Sequence, residues 1–257
     1  MAINRAQILV YVVGAIVAVI YLLGQMNRTA LTYVAGILAA TLSLSAFLLA
    51  ALTVSKTWVG FRDRQSQVWF CGALGLSAFF AAEAVANTYH LLGSKFPSIP
   101  IVDIFSISGY VLILAALLIQ TWPFREAVSK KTGLIVALLG FSLMFTLWFS
   151  IMQSQGTLTF LDLVIYSVYP VLDIVLLAVS VPTLLLFRSG VFWKPYSHLL
   201  VGIILGLAGD MFSTWVFLLK GQTFYVGDPL ELFFDWAYIA VALGFYLRLR
   251  QVKAGIL

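Results

Sequence analysis

The stretch that decides the fold is LTYVAGILAATLSLSAFLLAALTV, residues 31–54, which runs without a single charged side chain. At a rise of about 1.5 Å per residue, a helix of this length spans the roughly 30 Å hydrocarbon core of a bilayer. The rest of the 257-residue chain has the same character, with 62% apolar residues, 10% charged residues and a mean hydropathy of +1.04. Because soluble domains carry about 25% charged residues, this composition excludes a soluble enzyme, a disordered chain and a disulfide scaffold.

Seven further stretches are equally long and apolar, and breakers or charges separate them, such as Pro195 before the seventh. The sequence therefore predicts an all-α integral membrane protein, a bundle of eight transmembrane helices that forms one polytopic domain over residues 1–257. Gly202, Gly206 and Gly209 in the seventh span predict close packing against a neighbouring helix. The expected spans are 6–24, 31–54, 68–92, 99–122, 133–155, 161–187, 198–220 and 230–249.

The basic residues predict the orientation of these spans. If the N-terminus is cytoplasmic, all but three of the 15 Lys and Arg residues fall in the cytoplasmic segments, the exceptions being Arg28, Lys95 and Lys220. Positive charge concentrates on the cytoplasmic side of membrane proteins, so we expect a multi-pass protein of the plasma membrane with both termini in the cytoplasm. The net charge of +5 lies in short clusters between apolar runs, which is typical of membrane topology and not of nucleic-acid binding.

A short repeat is visible in the last three hairpins, formed by spans 3–4, 5–6 and 7–8. The even-numbered span of each opens with a carboxylate, and a tyrosine follows seven residues later, which places the pair on one helix face. Three related hairpins behind an N-terminal pair of helices are one interpretation, and chance spacing among eleven tyrosines is the other. The pairs are Asp103 with Tyr110, Asp162 with Tyr169, and Glu231 with Tyr238.

Three carboxylates lie near the expected bilayer midplane. From the helix rise, Glu83, Asp173 and Asp210 are each roughly 14–18 Å below the outer surface, and no Lys or Arg lies at that depth. An ionised Asp at a helix centre costs about 2.5–3.5 kcal/mol even on the lenient insertion scale, so these side chains are expected to face inward. They are then neutral and hydrogen-bonded, or they hold a cation or cationic ligand, or they line a wet cavity.

Polar side chains also form stripes in the outer halves of spans 3, 4, 6, 7 and 8, for example Asp162, Tyr166, Tyr169 and Asp173 at helical spacing. We expect an outward-opening pocket floored by the three midplane acids, with aromatic rings that suit a cationic or amphipathic ligand. Neutral acids that join neighbouring helices are the alternative. The predicted ligand-binding residues are Glu83, Asn87, Asp103, Tyr110, Tyr169, Asp173, Asp210, Asp235 and Tyr238.

The sequence lacks the residues that several classes of membrane protein require. A retinal protein needs a lysine within a transmembrane helix, and no lysine lies at depth in any span. The two histidines, His90 and His198, are separated by about a membrane thickness, and Cys71 is the one cysteine, so no zinc or haem ligand set is identifiable. No catalytic residues are assigned, and no cofactor or metal is expected.

Four stretches carry a resemblance to a known family: AAEAVANTYHLLGSKFPSIPIVDIFSISGYVLILAALL (81–118), LDLVIYSVYPVLDIVLLAVSV (161–181), LLVGIILGLAGDMFSTW (199–215) and DPLELFFDWAYIAVALGF (228–245). Together they resemble the multi-helix, YPxxD-type membrane module found at the N-terminus of bacterial and archaeal histidine kinases and diguanylate cyclases. The resemblance implies an input or ligand-binding role. The matching positions are Glu83, Pro97, Ser98, Asp103, Phe105, Tyr110, Tyr169, Pro170, Asp173, Gly206, Asp210 and Asp235.

Because the sequence carries no kinase, cyclase or coiled-coil segment after the last of these motifs, we expect a stand-alone copy of the module. The leading hypothesis is therefore a non-enzymatic sensor that binds a small ligand or cation and signals through a protein partner at its cytoplasmic loops. An accessory subunit of a larger membrane complex is the second hypothesis. The third is a proton- or cation-coupled transporter, or a membrane enzyme, that uses Glu83, Asp173 and Asp210.

Overall fold

The computed structural model describes residues 5–92, 101–153, 160–187, 190–191, 193–220 and 226–255. Within these residues the chain is all-helical, and the helices α1–α4 and α6–α8 are long and apolar enough to cross a membrane. A short 3-10 helix, Trp122–Ala127, follows α4. The α-helices are α1 (Arg5–Gly24), α2 (Arg28–Thr57), α3 (Arg64–Leu91), α4 (Ile101–Thr121), α5 (Lys130–Gln153), α6 (Phe160–Leu186), α7 (Trp193–Lys220) and α8 (Glu231–Lys253).

Most helices extend beyond the predicted spans, mainly at the ends expected in the cytoplasm, whereas α4 (Ile101–Thr121) lies within its predicted span of 99–122. Helix α7 begins at Trp193, ahead of the span predicted from residue 198, and therefore includes Pro195. A proline is tolerated in the first helical turn, where the backbone N–H has no partner within the helix. At the other extended ends, the additional residues include charged side chains. A helix continues past an apolar span wherever the residues that follow favour helix.

The N-terminus of α3 shows how such an extension begins. The carboxylate of Asp63 accepts hydrogen bonds from the backbone N–H of Ser66 at 2.7 Å and from its hydroxyl at 2.8 Å. These bonds satisfy one of the free N–H groups of the first turn, and they hold the pKa of Asp63 below its usual range. The cap fixes the turn that joins α2 to α3.

The bundle is built from two long antiparallel pairs, α3 with α4 and α7 with α8. Helix α2 packs against α3 and α8, and α6 packs against α7 and α4. Helices α1 and α5 lie on the outside, α1 against α8 and α2, and α5 against α6 and α7. Polar residues of α3, α4, α6, α7 and α8 are thereby directed into the interior.

Aromatic and small residues fill the centre. Trp69 is 1% exposed, with its ring centroid 5.3 Å from that of Phe245 and 5.7 Å from that of Tyr196. Gly202 packs closely, as predicted, since a Cβ there would lie 3.0 Å from the backbone oxygen of Ala237. Gly206 was predicted to pack in the same way, and this is wrong for the described residues, because none of their atoms lies within 4 Å of a Cβ at Gly206.

The outer surface is apolar. Large side chains of α1 and α5 are widely exposed, with Leu22 at 73% and Phe141 at 72%. A water-soluble protein rarely exposes contiguous apolar surface on this scale. The exposed helices are therefore consistent with contact with a lipid bilayer.

Candidate functional site

Acidic and tyrosine side chains from α4, α6 and α7 meet inside the bundle. The hydroxyl of Tyr110 donates a hydrogen bond to Oδ2 of Asp210, and the hydroxyl of Tyr169 donates to Oδ1 of Asp103 at 2.6 Å. Asp173 is 1% exposed and lies within hydrogen-bonding reach of Asp210 and Tyr110. We call this cluster the α4–α7 site; its members are Asp103, Tyr110, Tyr169, Asp173 and Asp210.

Aromatic rings enclose this cluster. The rings of Tyr110 and Tyr169 meet edge to face with centroids 6.0 Å apart, and Phe79 meets Tyr110 in the same way at 5.4 Å. Such edge-to-face pairs hold ring orientation, because the positive edge of one ring faces the negative face of the other. The two hydroxyls are thus directed at carboxylates by packing as well as by hydrogen bonding.

A second cluster lies between α3, α8 and α1. The hydroxyl of Tyr238 donates to Oε1 of Glu83 at 3.1 Å, so the midplane acid of α3 is paired with a tyrosine of α8. Asp235, one turn before Tyr238, is 1% exposed, and neither of its carboxylate oxygens has a hydrogen-bond partner among the described residues. A buried polar group in that condition is costly unless a ligand, a proton or water satisfies it.

The outer end of this second cluster is closed by the first turn of α8. Oε2 of Glu231 accepts hydrogen bonds from the hydroxyl of Tyr21 at 3.1 Å and from the backbone N–H of Gly227 at 2.7 Å. The acid thereby joins α1 to α8, whose residues are far apart in the sequence. We call this cluster the α3–α8 site; its members are Tyr21, Glu83, Glu231, Asp235 and Tyr238.

Eight of the nine predicted ligand-binding residues fall in one of the two sites. The exception is Asn87, whose amide donates to the backbone oxygen of Glu83 at 2.9 Å. Of the three midplane acids, Asp173 and Asp210 lie together, whereas Glu83 belongs to the other site. Tyr238 lies within electrostatic reach of both Glu83 and Asp210, so the two sites are neighbours.

A cavity of about 250 Å³ lies elsewhere, between α2 and α3. Its walls are mainly apolar, and Asn87 is the predicted binding residue that reaches it. The lining residues are Thr32, Tyr33, Gly36, Ile37, Ala40, Thr41, Leu44, Phe80, Asn87, His90 and Leu91.

Two members of the α3–α8 site were not predicted as ligand-binding residues. Glu231 was recognised as the acid of the last hairpin but placed near the outer interface. Tyr21 was missed, because nothing in the apolar run of α1 signals that its partner lies on the last helix. Pro97, Ser98 and the side chains of Asp162 and Tyr166 lie outside the described residues.

Among the described residues, no three His, Cys, Asp or Glu side chains are grouped as a metal ion would require, so neither site directs three acidic ligands at one ion. Each site combines carboxylates with phenolic hydroxyls, and the oxygen atoms of both groups can contact a small cation.

No family model, curated protein or solved structure matches this chain. The resemblance to the YPxxD-type sensory module stays a prediction from the quoted motifs.

Proposed function

We propose that the chain is a multi-pass protein of the cell membrane with eight spans and cytoplasmic termini, and that it acts as a sensor of the type its motifs resemble. A small cation or cationic ligand binds at the buried acid–tyrosine sites, and the cytoplasmic loops pass the change to a protein partner. The observation that carries the proposal is the convergence of acids and tyrosines from six helices inside a bundle whose exterior is apolar.

The hydrogen bonds offer a route for such a signal, because each tyrosine and its acid belong to different helices. Tyr110 joins α4 to α7, and Tyr169 joins α6 to α4. A cation that competes for Asp210 weakens the bond to Tyr110 and changes the contact between those helices. A ligand shifts an equilibrium only through such a difference in contacts between two states.

The test is a fluorophore on the cytoplasmic side of the full chain. A single cysteine is introduced by Glu126→Cys in a Cys71→Ser background, labelled, and the protein is placed in lipid nanodiscs. Tetramethylammonium chloride is titrated against N-methylglucamine chloride at constant ionic strength. We expect a saturable change in fluorescence that Asp210→Asn abolishes and that Ser43→Ala retains. No change in the parent protein, or equal loss in both variants, would refute the sensor proposal.

The same cysteine tests orientation. With the N-terminus in the cytoplasm, the segment that holds Glu126 is cytoplasmic. Glu126→Cys should therefore resist a membrane-impermeant thiol reagent in intact cells and react after permeabilisation. Labelling in intact cells would reverse the assigned topology.

A further inference from the structure

The sequence of α3 can be aligned with that of α7 at an offset of 127 residues, the spacing from Gly75 to Gly202, and buried positions of the two helices then correspond. At this shift five of the eight buried positions in α3 fall on buried positions in α7. The most conservative pair is Glu83 and Asp210, the midplane acids of the two helices. The buried pairs are Val68 and Pro195, Trp69 and Tyr196, Ala73 and Leu200, Gly75 and Gly202, and Ala82 and Gly209.

The helices on either side repeat in the same way. Between α4 and α8 the shift is 128 residues, as from Tyr110 to Tyr238, and between α2 and α6 it is 130 residues, as from Thr53 to Thr183. Small changes of shift are expected where connecting loops differ in length. The buried pairs are Ala116 and Gly244, Leu117 and Phe245, Gln120 and Arg248, Thr121 and Leu249, Ser43 and Asp173, Ala46 and Leu176, Ala50 and Ser180, and Thr53 and Thr183.

The helix contacts repeat as well. A Cβ at Gly75 would lie 3.1 Å from the backbone oxygen of Gly109 in α4, and one at Gly202 would lie 3.0 Å from that of Ala237 in α8. Gly109 and Ala237 correspond at the shift of 128 residues. Helix α2 packs on α3 and α8, just as α6 packs on α7 and α4. The segments α2–α4 and α6–α8 are therefore two copies of one structural unit.

The hydrogen bonds cross between the copies reciprocally. Tyr238 of the second copy bonds to Glu83 of the first, and Tyr110 of the first bonds to Asp210 of the second. Such an exchange defines a two-fold relation, in which the same patch of each unit meets the other. Trp69 and Tyr196 contact each other although they occupy corresponding positions, which places the approximate axis between them. This unit differs from the three predicted hairpins, which remain a prediction.

The two sites have the same chemical composition: each contains three carboxylates and two tyrosines. Some members correspond through the repeat, as Asp103 does to Glu231. The third acid does not, because the position that matches Asp173 is Ser43 and the position that matches Asp235 is Ile107. The third acid thus comes from α6 in one site and from α8 in the other. This difference favours a shared ligand chemistry over a simple duplication of the same positions.

Each third acid is the one that lacks a complete set of partners. The hydroxyls of Tyr110 and Tyr21 lie near Asp173 and Asp235, but each donates its one proton to another acid, Asp210 or Glu231. Oδ2 of Asp173 and both carboxylate oxygens of Asp235 therefore accept no hydrogen bond in the described part of the chain, and both side chains are 1% exposed. No Lys or Arg lies at that depth. A buried carboxylate without a donor or a counter-charge is satisfied by a proton or by a bound cation.

We propose that the α4–α7 site and the α3–α8 site each bind one small monovalent cation, so that the duplicated chain holds two pseudo-equivalent cation sites. Asp173 and Asp235 supply the free carboxylate oxygens, and the crossed acid–tyrosine pairs bring the two copies together around them. The inference deepens the proposed function, on which it rests, by naming the ligand class and the number of sites.

The experiment counts ions on the full chain in lipid nanodiscs by equilibrium binding of radiolabelled sodium and rubidium. We expect two ions per chain in the parent protein, one in Asp173→Asn, one in Asp235→Asn and none in the double variant. Ser43→Ala, at the position that corresponds to Asp173, should retain both. The ion that remains on each single variant shows that the variant is folded.

Two outcomes would overturn the proposal. A single ion that either substitution removes would mean one shared site. Absence of both ions from the parent protein would refute monovalent metal cations as the ligand class. Neither result depends on the fluorescence response to tetramethylammonium, so failure of the cation sites and failure of the sensor proposal are distinguishable.

Discussion

The α4–α7 site is enclosed by aromatic rings, whereas the α3–α8 site is closed by a backbone turn and by a helix from the edge of the bundle. In the first, Tyr110 meets both Phe79 and Tyr169 edge to face. In the second, Glu231 is held by the N–H of Gly227 and the hydroxyl of Tyr21. The two sites therefore contain the same kinds of side chains, but different structural elements hold those side chains in place.

The largest expected effect tests whether the two copies pack alike. Gly75→Ala and Gly202→Ala each place a Cβ about 3 Å from a backbone oxygen of the paired helix, and a backbone cannot move as a side-chain tip can. Overpacking of this kind typically costs about 1–3 kcal/mol. We expect both variants to unfold at lower denaturant concentration. Gly202→Ala should be the more affected, because its Cβ would lie 2.5 Å from Val241, whereas the Cβ of Gly75→Ala would lie 2.9 Å from Ile113.

Gly206→Ala is the matched control, since its Cβ lies more than 4 Å from every atom in the part of the chain that the structure describes. Alanine favours helix over glycine by about 1 kcal/mol, so this variant should be neutral or stabilised. Equal destabilisation by all three substitutions would show that the contacts at Gly75 and Gly202 are not specific.

A smaller effect tests the crossed hydrogen bonds. Tyr110→Phe and Tyr238→Phe each remove one donor to a buried acid, which should cost about 1–2 kcal/mol in unfolding free energy. In double-mutant cycles, Tyr110→Phe should couple to Asp210→Asn, and Tyr238→Phe should couple to Glu83→Gln.

The exchanged combination is the control for these cycles. Tyr110→Phe combined with Glu83→Gln should be close to additive, because those residues share no hydrogen bond in the described structure. Strong coupling in that combination would merge the two sites into one network and remove the distinction between them.

The smallest effect is expected at the N-terminal cap of α3. Asp63→Ala removes the acceptor for Ser66 and should cost about 0.5–1 kcal/mol, near the low end for an N-cap, whereas Asp63→Asn keeps the acceptor. Because the pKa of Asp63 is lowered in the folded protein, its contribution is full above the ordinary carboxyl range and is lost as pH falls through its folded value.

A comparison of the parent protein with Asp63→Asn measures that loss. In detergent, the free energy of unfolding should fall more between about pH 5 and pH 2 for the parent protein than for the variant, which has no carboxyl at this position. Parallel pH profiles would show that the cap contributes no pH-dependent stability to the junction of α2 and α3.

The helices were predictable because apolar runs of this length have few alternatives to a helix. Their ends were less so: Pro195 is normally a breaker, yet in the first turn of α7 it removes no hydrogen bond. The inward acids were also predictable, since charge facing lipid is costly.

The pairing of those acids was not predictable from spacing. The interval of seven residues places Asp103 and Tyr110 on one face, but the bond of Tyr110 is to Asp210 and the bond of Asp103 is to Tyr169. Periodicity states which residues share a face and leaves open which helix that face meets. The repeat of about 128 residues was not visible in the sequence, because corresponding positions in the two copies are more often alike in burial than in residue type.

The contact between α1 and α8 also sets an order of events during synthesis. The hydroxyl of Tyr21 donates to Glu231, and Nε1 of Trp236 donates to the backbone oxygen of Gly14 at 3.0 Å. The first helix can therefore form these contacts only after the last helix is present. Chains emerge from the ribosome N-terminus first, so α1 has no contact with its main neighbour until α8 has been synthesised. The α4–α7 site can assemble once α7 has been synthesised, whereas the α3–α8 site is completed only by the final helix.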